Sequence, residues 1–355
     1  MKRAIQALLL ILGASALLIG CGAFAPSPVI DTFSSDATTV DEGESVTFTV
    51  SGTTISDTGE SSTTDYSGTV TLSNGDLSIR KTASITGEFN ETFTVTVNTA
   101  GTHTFKATLT ASDGTSVSDT KDITVTGILT YNGWEKGILN SSSSEVWYKY
   151  EGYTTSTYYV HYFEDNNNNE DSDMADVRLT VYEEDKTTIL DDNEYNTPSS
   201  SFSPTQSNGV VYLKFETENA ASDETGGFYF QITGGTNGST PYTANTITAN
   251  GGSSGTLAAG DVDVWSYDLS TTETVEFQWE DSDSSYNADS GSSYTTDIAV
   301  TGFAGDDDLL FYRDDNCSAA DDQAHYVNYY DDVYMIVEGD NPSDSGSYYV
   351  DLDYQ

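Results

Sequence analysis

The chain has 355 residues, with 57 Asp and Glu against 12 Lys and Arg, for a formal charge of −45 at pH 7. An imbalance of that size repels phosphate backbones and anionic headgroups, so nucleic-acid binding is excluded, and self-repulsion keeps the protein soluble. Cys21 and Cys317 are the two cysteines, too few for a disulfide scaffold, so stability must come from packed cores.

In chain order, Met1-Lys2-Arg3 and the apolar run AIQALLLILGASALLIG form a secretory signal, not a membrane span. Its end, Leu18-Ile19-Gly20-Cys21, resembles the bacterial lipobox, which implies cleavage after residue 20 and a lipid anchor on Cys21. Gly22 in the following position points to the outer membrane. The tether is then 21–27. With Cys21 lipidated, Cys317 has no partner, and Asp314, Asp315, Asp321 and Asp322 would disfavour its thiolate, so it reads as structural.

Beyond the tether, period-2 alternation recurs (SVTFTV at 45–50, TFTVTV at 92–97, THTFKATLTA at 102–111), separated by Gly, Asn, Asp and Ser clusters. The fold class expected is all-β. The stretch AGTHTFKATLTASDGTSVSDTKDITVTG carries a long strand, an Asp113-Gly114 turn and a closing strand. It resembles bacterial immunoglobulin-like and PKD-like domains, which implies an Ig-like β-sandwich over 28–127.

The remainder is internally duplicated. GILNSSSSEVW at 137–147 parallels GTLAAGDVDVW at 255–265, YVHYFED at 159–165 parallels VEFQWED at 275–281, and GGFYFQI at 226–232 parallels GSYYVDL at 346–352. Asp176-Val177 matches Asp297-Ile298, and Val211-Tyr212 matches Val333-Tyr334. The strand after Gly137 admits two alignments: ungapped, Trp147 lies opposite Trp265, whereas a one-residue gap puts Tyr148 there and reverses the faces. This grammar resembles the bacterial pre-peptidase C-terminal (PPC) domain. The resemblance implies two jelly-roll-like β-sandwiches, 128–234 and 243–355, joined by a flexible linker over 235–252.

Little in the chain speaks for catalysis. His103, His161 and His325 are the three histidines; the first two lie in alternating strands and read as packed or half-exposed. Neither a Gly-x-Ser-x-Gly elbow nor a His-Glu-x-x-His motif occurs. The consecutive pairs Glu164/Asp165 and Glu280/Asp281 should point to opposite faces of their strands, which makes them poor acid/base partners. Carboxylate and amide oxygens suit Ca²⁺, and a site built from Asp165 and Asp176 with Asp171 or Asp173, and from Asp281, Asp283 and Asp297 in the second copy, stands beside the plainer reading of solvated turns. The Trp and Tyr content suits stacking on sugars, but Trp147, Trp265 and Trp279 lie in alternating strands and read as core.

The expectation is a lipid-anchored envelope protein, non-enzymatic, that presents β-sandwich surfaces for adhesion or for an extracellular protein or polysaccharide. A carbohydrate-binding module using exposed aromatics is the alternative, and a secreted hydrolase with a carboxylate site is a more distant one.

Overall fold

The structure, a computed structural model, describes residues 28–57, 63–139, 144–151, 157–163, 174–193, 199–205, 209–217, 225–234, 244–247, 252–269, 273–280, 295–304, 308–314, 323–327, 332–341 and 343–354. Every element among them is a strand, as expected of an all-β chain. The chain divides into two compact units, Met1–Val125 and Thr126–Gln355.

The first unit contains β1 (Val29–Ser35), β2 (Thr39–Asp41), β3 (Ser45–Thr53), β4 (Ile55–Asp57), β5 (Thr63–Asp65), β6 (Ser67–Asn74), β7 (Ile79–Thr86), β8 (Glu88–Thr96), β9 (Gly101–Ala111) and most of β10 (Ser116–Ile128). One sheet runs β1-β3-β8; in the other, β10, β9, β6 and β7 are neighbours in that order. Alternation decides which side chains meet. In β3, Val46, Phe48 and Val50 are fully buried while the intervening residues are not, and Phe48 lies 4.6 Å from Phe105 of β9. The Asp113-Gly114 turn forms as expected: Gly114 takes φ 90°, and the Thr115 amide and hydroxyl both donate to the Asp113 carboxylate. His103 is packed, 2.8 Å from the Thr99 carbonyl through Nε2.

The second unit holds two sandwiches. The first comprises β11 (Trp134–Leu139), β12 (Glu145–Glu151), β13 (Tyr158–Phe163), β14 (Val177–Tyr182), β15 (Ile189–Asn193), β16 (Ser199–Phe202), β17 (Val210–Thr217) and β18 (Gly226–Gly234). The second comprises β19 (Asn245–Thr246), β20 (Ser253–Leu257), β21 (Val262–Asp268), β22 (Glu273–Glu280), β23 (Ile298–Ala304), β24 (Asp308–Asp314), β25 (Gln323–Val327), β26 (Asp332–Gly339) and β27 (Gly346–Tyr354). Their topologies coincide: β15-β14-β17-β12 corresponds to β24-β23-β26-β21, and β11-β18-β13-β16 to β20-β27-β22-β25. Part of the expected flexible linker is itself a strand. Asn245 and Thr246 pair in parallel with Trp265 and Ser266, and the following Ile247 is 1% exposed in the core.

Strand pairing also decides the open alignment after Gly137 and shifts that of the next strand. Tyr148 pairs with Gly127 and Leu213, as Trp265 pairs with Asn245 and Met335, so Tyr148 is the counterpart of Trp265 and Trp147 that of Val264. In the next strand Val160 lies opposite Ile232, as Phe277 lies opposite Leu352, so YVHYFED and VEFQWED align one residue away from the sequence match. Burial follows that register: Tyr158, Val160 and Tyr162 point inward, as do Val275, Phe277 and Trp279. Glu164, Asp165 and Asp281, the rest of the matched Glu-Asp ends, lie outside the described residues.

A glycine lies under an aromatic ring in both sandwiches. A Cβ on Gly137 would come within 2.0 Å of the Phe228 ring, and one on the equivalent Gly255 within 2.2 Å of the Tyr348 ring. Each ring lies flat across its neighbouring strand because no side chain stands there. Gly137→Ala should therefore destabilise the second unit by about 1–3 kcal/mol through overpacking, measurable as a lower urea midpoint with unchanged m value.

Candidate functional site

The two sandwiches of the second unit pack head to tail, and this fixes which surfaces stay free. The outer face of β11-β18-β13 supplies Trp134, Tyr229 and Phe163, which meet Val264, Tyr334 and Ile336 of the second sandwich's other sheet in one buried cluster. Phe163 lies 5.1 Å from both Phe303 and Tyr334. Lys136 crosses this junction to Glu338 at 2.8 Å, and the Tyr229 hydroxyl donates to the same carboxylate at 3.1 Å. The counterparts of that covered face on the first sandwich therefore form its own outer surface.

That surface is built by β12, β17, β14 and β15. Val146, Tyr148, Leu213 and Phe215 point into the core, so alternation sends Trp147, Tyr212 and Lys214 outward. Trp147 is thus not a core residue, contrary to the sequence expectation; Tyr148 fills the core instead, 4.6 Å from Phe230. Trp265 and Trp279 are buried as expected. The Trp147 ring lies 5.4 Å from Tyr182 and 6.4 Å from Tyr212, all three rings half-exposed. Cross-strand pairing places Trp147 opposite Lys214 and Tyr212 opposite both Lys149 and Tyr182. The aromatic side chains thereby form a patch across three strands.

Charged groups frame the patch. The Trp147 indole donates to Glu145 at 3.1 Å; Lys214 bridges Glu145 and Glu216; Arg178 grips Asp192 with two 2.9 Å bonds; Lys149 meets Glu151 at 2.8 Å. Burial alone would raise Glu145, but the hydrogen bonds from Trp147 and Lys214 outweigh it and hold its carboxyl below the usual range. Burial would lower Lys214, but its bonds to Glu216 and Glu145 outweigh that and raise it. Pairs this close to solvent contribute about 0–1 kcal/mol each, so they orient the surface more than they stabilise it.

Lys186 projects from the β14–β15 turn with its ammonium 4.1 Å from the Tyr212 ring centroid and 5.1 Å from that of Trp147. The turn is held by Asp185, which accepts the Thr187 and Thr188 amides, and Lys186 itself takes φ 54°. The Thr188 and Thr187 amide bonds pull the Asp185 carboxyl down from 3.8 to about 2.

A concavity of about 440 Å³ lies at the junction of the two sandwiches, lined by Asn132, Trp134, Glu135, Asn245, Asp261 and Asp263 among others. Burial raises Asp263, while the Tyr348 hydroxyl donates to it at 2.5 Å and accepts the Trp265 indole at 2.9 Å. That carboxylate is committed to fastening a tyrosine. Among the described residues no group of three His, Cys, Asp or Glu converges to hold a metal ion.

Of the sequence-derived Ca²⁺ ligands, Asp165, Asp171, Asp173, Asp281 and Asp283 lie outside the described residues, as does Cys21. Asp176 and Asp297 are equivalent, each half-buried immediately before β14 and β23. Sequence reasoning missed the Trp147 patch because the ungapped alignment paired that residue with a core tryptophan. The gapped alignment held the signal.

No protein-family model and no curated protein matches the chain. Among solved structures, it resembles the pre-peptidase C-terminal domain of a Bacillus anthracis collagenase at 10% identity, over 30% of this chain and 93% of that one, with a TM-score of 0.24. A carbohydrate-binding module of the β-sandwich superfamily matches at 14% identity, over 59% and 98% of the two chains, with a TM-score of 0.22. The CBM51-2 and INT domains of Clostridium perfringens ZmpB match at 12% identity over 38% of each chain, with a TM-score of 0.17. The β-sandwich architecture rests on the strand pairing described above.

Two titrations in the first sandwich occupy separate pH windows. His161 of β13 is pushed by burial from 6.5 to about 4, so the unfolded chain binds the extra proton between those values. Its contribution is complete above pH 6.5 and is lost as pH falls towards 4; Asp185 acts only below about 4. Replacing His161 with Gln, the residue at the equivalent position 278, should flatten the thermal-stability profile between pH 6.5 and 4 and leave the lower limb unchanged.

Proposed function

We infer that this is a non-catalytic binding protein of the bacterial cell envelope, anchored through lipid on Cys21, with the Trp147 face of the first sandwich as its binding surface and a polysaccharide as the ligand it fits best. The observation that carries the reading is the contrast between the two free faces of the stacked sandwiches. The free face of the second sandwich, on β20, β27 and β22, carries a single half-exposed ring, Tyr349, among Ser254, Ser347, Asp351, Glu276 and Gln278. That composition is what a terminal repeat needs to stay soluble.

The free face of the first sandwich instead keeps Trp147, Tyr182 and Tyr212 half-exposed. A solubilising cap has no use for three aromatic rings, whereas ring faces flanked by paired donors and acceptors suit stacking on sugar C–H surfaces and bonding of hydroxyls. A protein ligand would use the same rings as anchors. The sugar reading is favoured by the dense hydrogen-bonding groups at the edges of the rings. The lipobox-like end of the signal supports the anchor, and Gly22 supports the outer membrane as its destination.

Two measurements test this reading. A glycan array probed with the wild type and Trp147→Ala should show binding lost in the variant, with melting temperatures within a few degrees of each other; binding indifferent to Trp147 would move the site elsewhere. Separately, Cys21→Ser should shift the protein from the detergent-rich to the aqueous phase of a cloud-point partition, and an unchanged partition would remove the lipid anchor from the account.

A further inference from the structure

Beyond residue 20 the chain holds ten Lys and Arg, and four of them, Lys149, Arg178, Lys186 and Lys214, lie on this one sheet and its β14–β15 turn. The equivalents of Lys214, Lys149 and Arg178 in the second sandwich are Ile336, Ser266 and Ala299, so the cations are not a requirement of the fold. Another four, Arg80, Lys81, Lys106 and Lys121, lie on β7, β9 and β10 of the first unit; what sets the group on this face apart is the half-exposed aromatic rings among it. We propose that the ligand of this face is an anionic polysaccharide, its sugar rings stacked on Trp147 and Tyr212 and its carboxylate or sulfate groups held by Lys186 and Lys214. The proposal rests on the reading of this face as a glycan-binding surface and narrows it to one charge class.

Charge and geometry both lead there. A chain of net −45 repels anions in general, so a polyanionic ligand can approach only where cations are gathered. The Lys186 ammonium already stands over two rings, held by a turn that Asp185 fastens through three hydrogen bonds. A pyranose lying on those rings would displace that ammonium to its own edge, where its anionic substituents can hold it. Lys214 and Arg178 are charge-paired with Glu145, Glu216 and Asp192 at a partly exposed surface. Such pairs are weak, so a ligand anion can compete for the cations against the carboxylates that stay beside them. A neutral sugar would leave these cations unused and would have to displace Lys186 without replacing its charge.

The test is a titration of the full chain with three probes of matched length, oligogalacturonate, dextran sulfate and neutral dextran, with poly-glutamate as a non-sugar polyanion. One or both anionic sugars should bind, the comparison separating carboxylate from sulfate, while dextran should not, and affinity should fall steeply with added salt. Trp147→Ala should weaken binding about thirtyfold and Lys186→Ala about fivefold, with unchanged melting temperatures as the control for folding. Glu145→Gln, which keeps an acceptor for the Trp147 indole while removing a competing charge, should strengthen it.

Dextran binding as tight as that of the anionic probes, and lost in Trp147→Ala, would overturn the anionic assignment while leaving the binding face intact. Poly-glutamate binding as tightly as the sugars would overturn it as well, in favour of an acidic peptide. Absence of binding to every sugar probe would overturn the proposal together with the glycan reading on which it rests.

Discussion

The head-to-tail junction between the two sandwiches of the second unit is the constraint from which the functional surface follows. Ten buried residues, including Trp134, Phe163, Tyr229, Tyr334 and Ile336, meet there without an intervening strand. Each side chain of this size gains about 1.5–3 kcal/mol from leaving water, so the junction is favoured well beyond what its one ion pair supplies. Lys136 and Glu338 set the register of the two faces: the carboxylate, 9% exposed, receives both the ammonium and the Tyr229 hydroxyl, and a slipped arrangement would leave it buried without them.

A heterologous junction of two like domains leaves one copy of each participating face uncovered. The sequence changes required at those two surfaces differ in kind. On the second sandwich the positions of Trp134, Lys136 and Gln231 are taken by Gly252, Ser254 and Asp351, which reduces the apolar ridge to Tyr349 at the position of Tyr229. On the first sandwich Val264, Ile336 and Phe303 are replaced by Trp147, Lys214 and Tyr182, which adds charge and hydrogen-bonding capacity while increasing aromatic area. Duplication supplies the scaffold, and divergence at one face supplies the candidate site.

The all-β class was legible because alternation is strict: Val46, Phe48 and Val50 in β3, or Val160 and Tyr162 in β13, mark one face unambiguously. Order and spacing of the duplicated segments showed two copies of one domain, down to the Gly137/Gly255 pair and the terminal Gly-x-Tyr-Tyr-type strands. What alternation does not resolve is a one-residue offset between two runs that both contain aromatics. In Glu145-Val-Trp-Tyr-Lys-Tyr-Glu, either Trp147 or Tyr148 could lie inward, and only pairing with Leu213 and Gly127 decides it. The same offset moves Tyr158–Phe163 one residue against β22. The Lys186 contact could not be read at all, because it depends on a turn folding back over strands that lie 26 and 39 residues away in sequence.

The overall charge of −45 and the four cations of this face, set among Glu145, Glu151, Asp185, Asp192 and Glu216, act over different distances. At physiological ionic strength screening sets in within about 8 Å, so acidic groups elsewhere on the surface contribute little to the potential directly above Trp147. What a ligand meets there is set by the nearest charges: Lys186 over the rings, Lys214 beside the indole, and the carboxylates that partner them. At low salt the distant acids would be felt and would oppose an anion, while the local cations would attract it more strongly. The two effects have opposite sign but different range, and the short-range one operates at higher effective strength beside low-dielectric aromatic surface. The acidic exterior then keeps the protein from collecting polyanions indiscriminately, which leaves the Trp147 face as the place where charge and stacking act together.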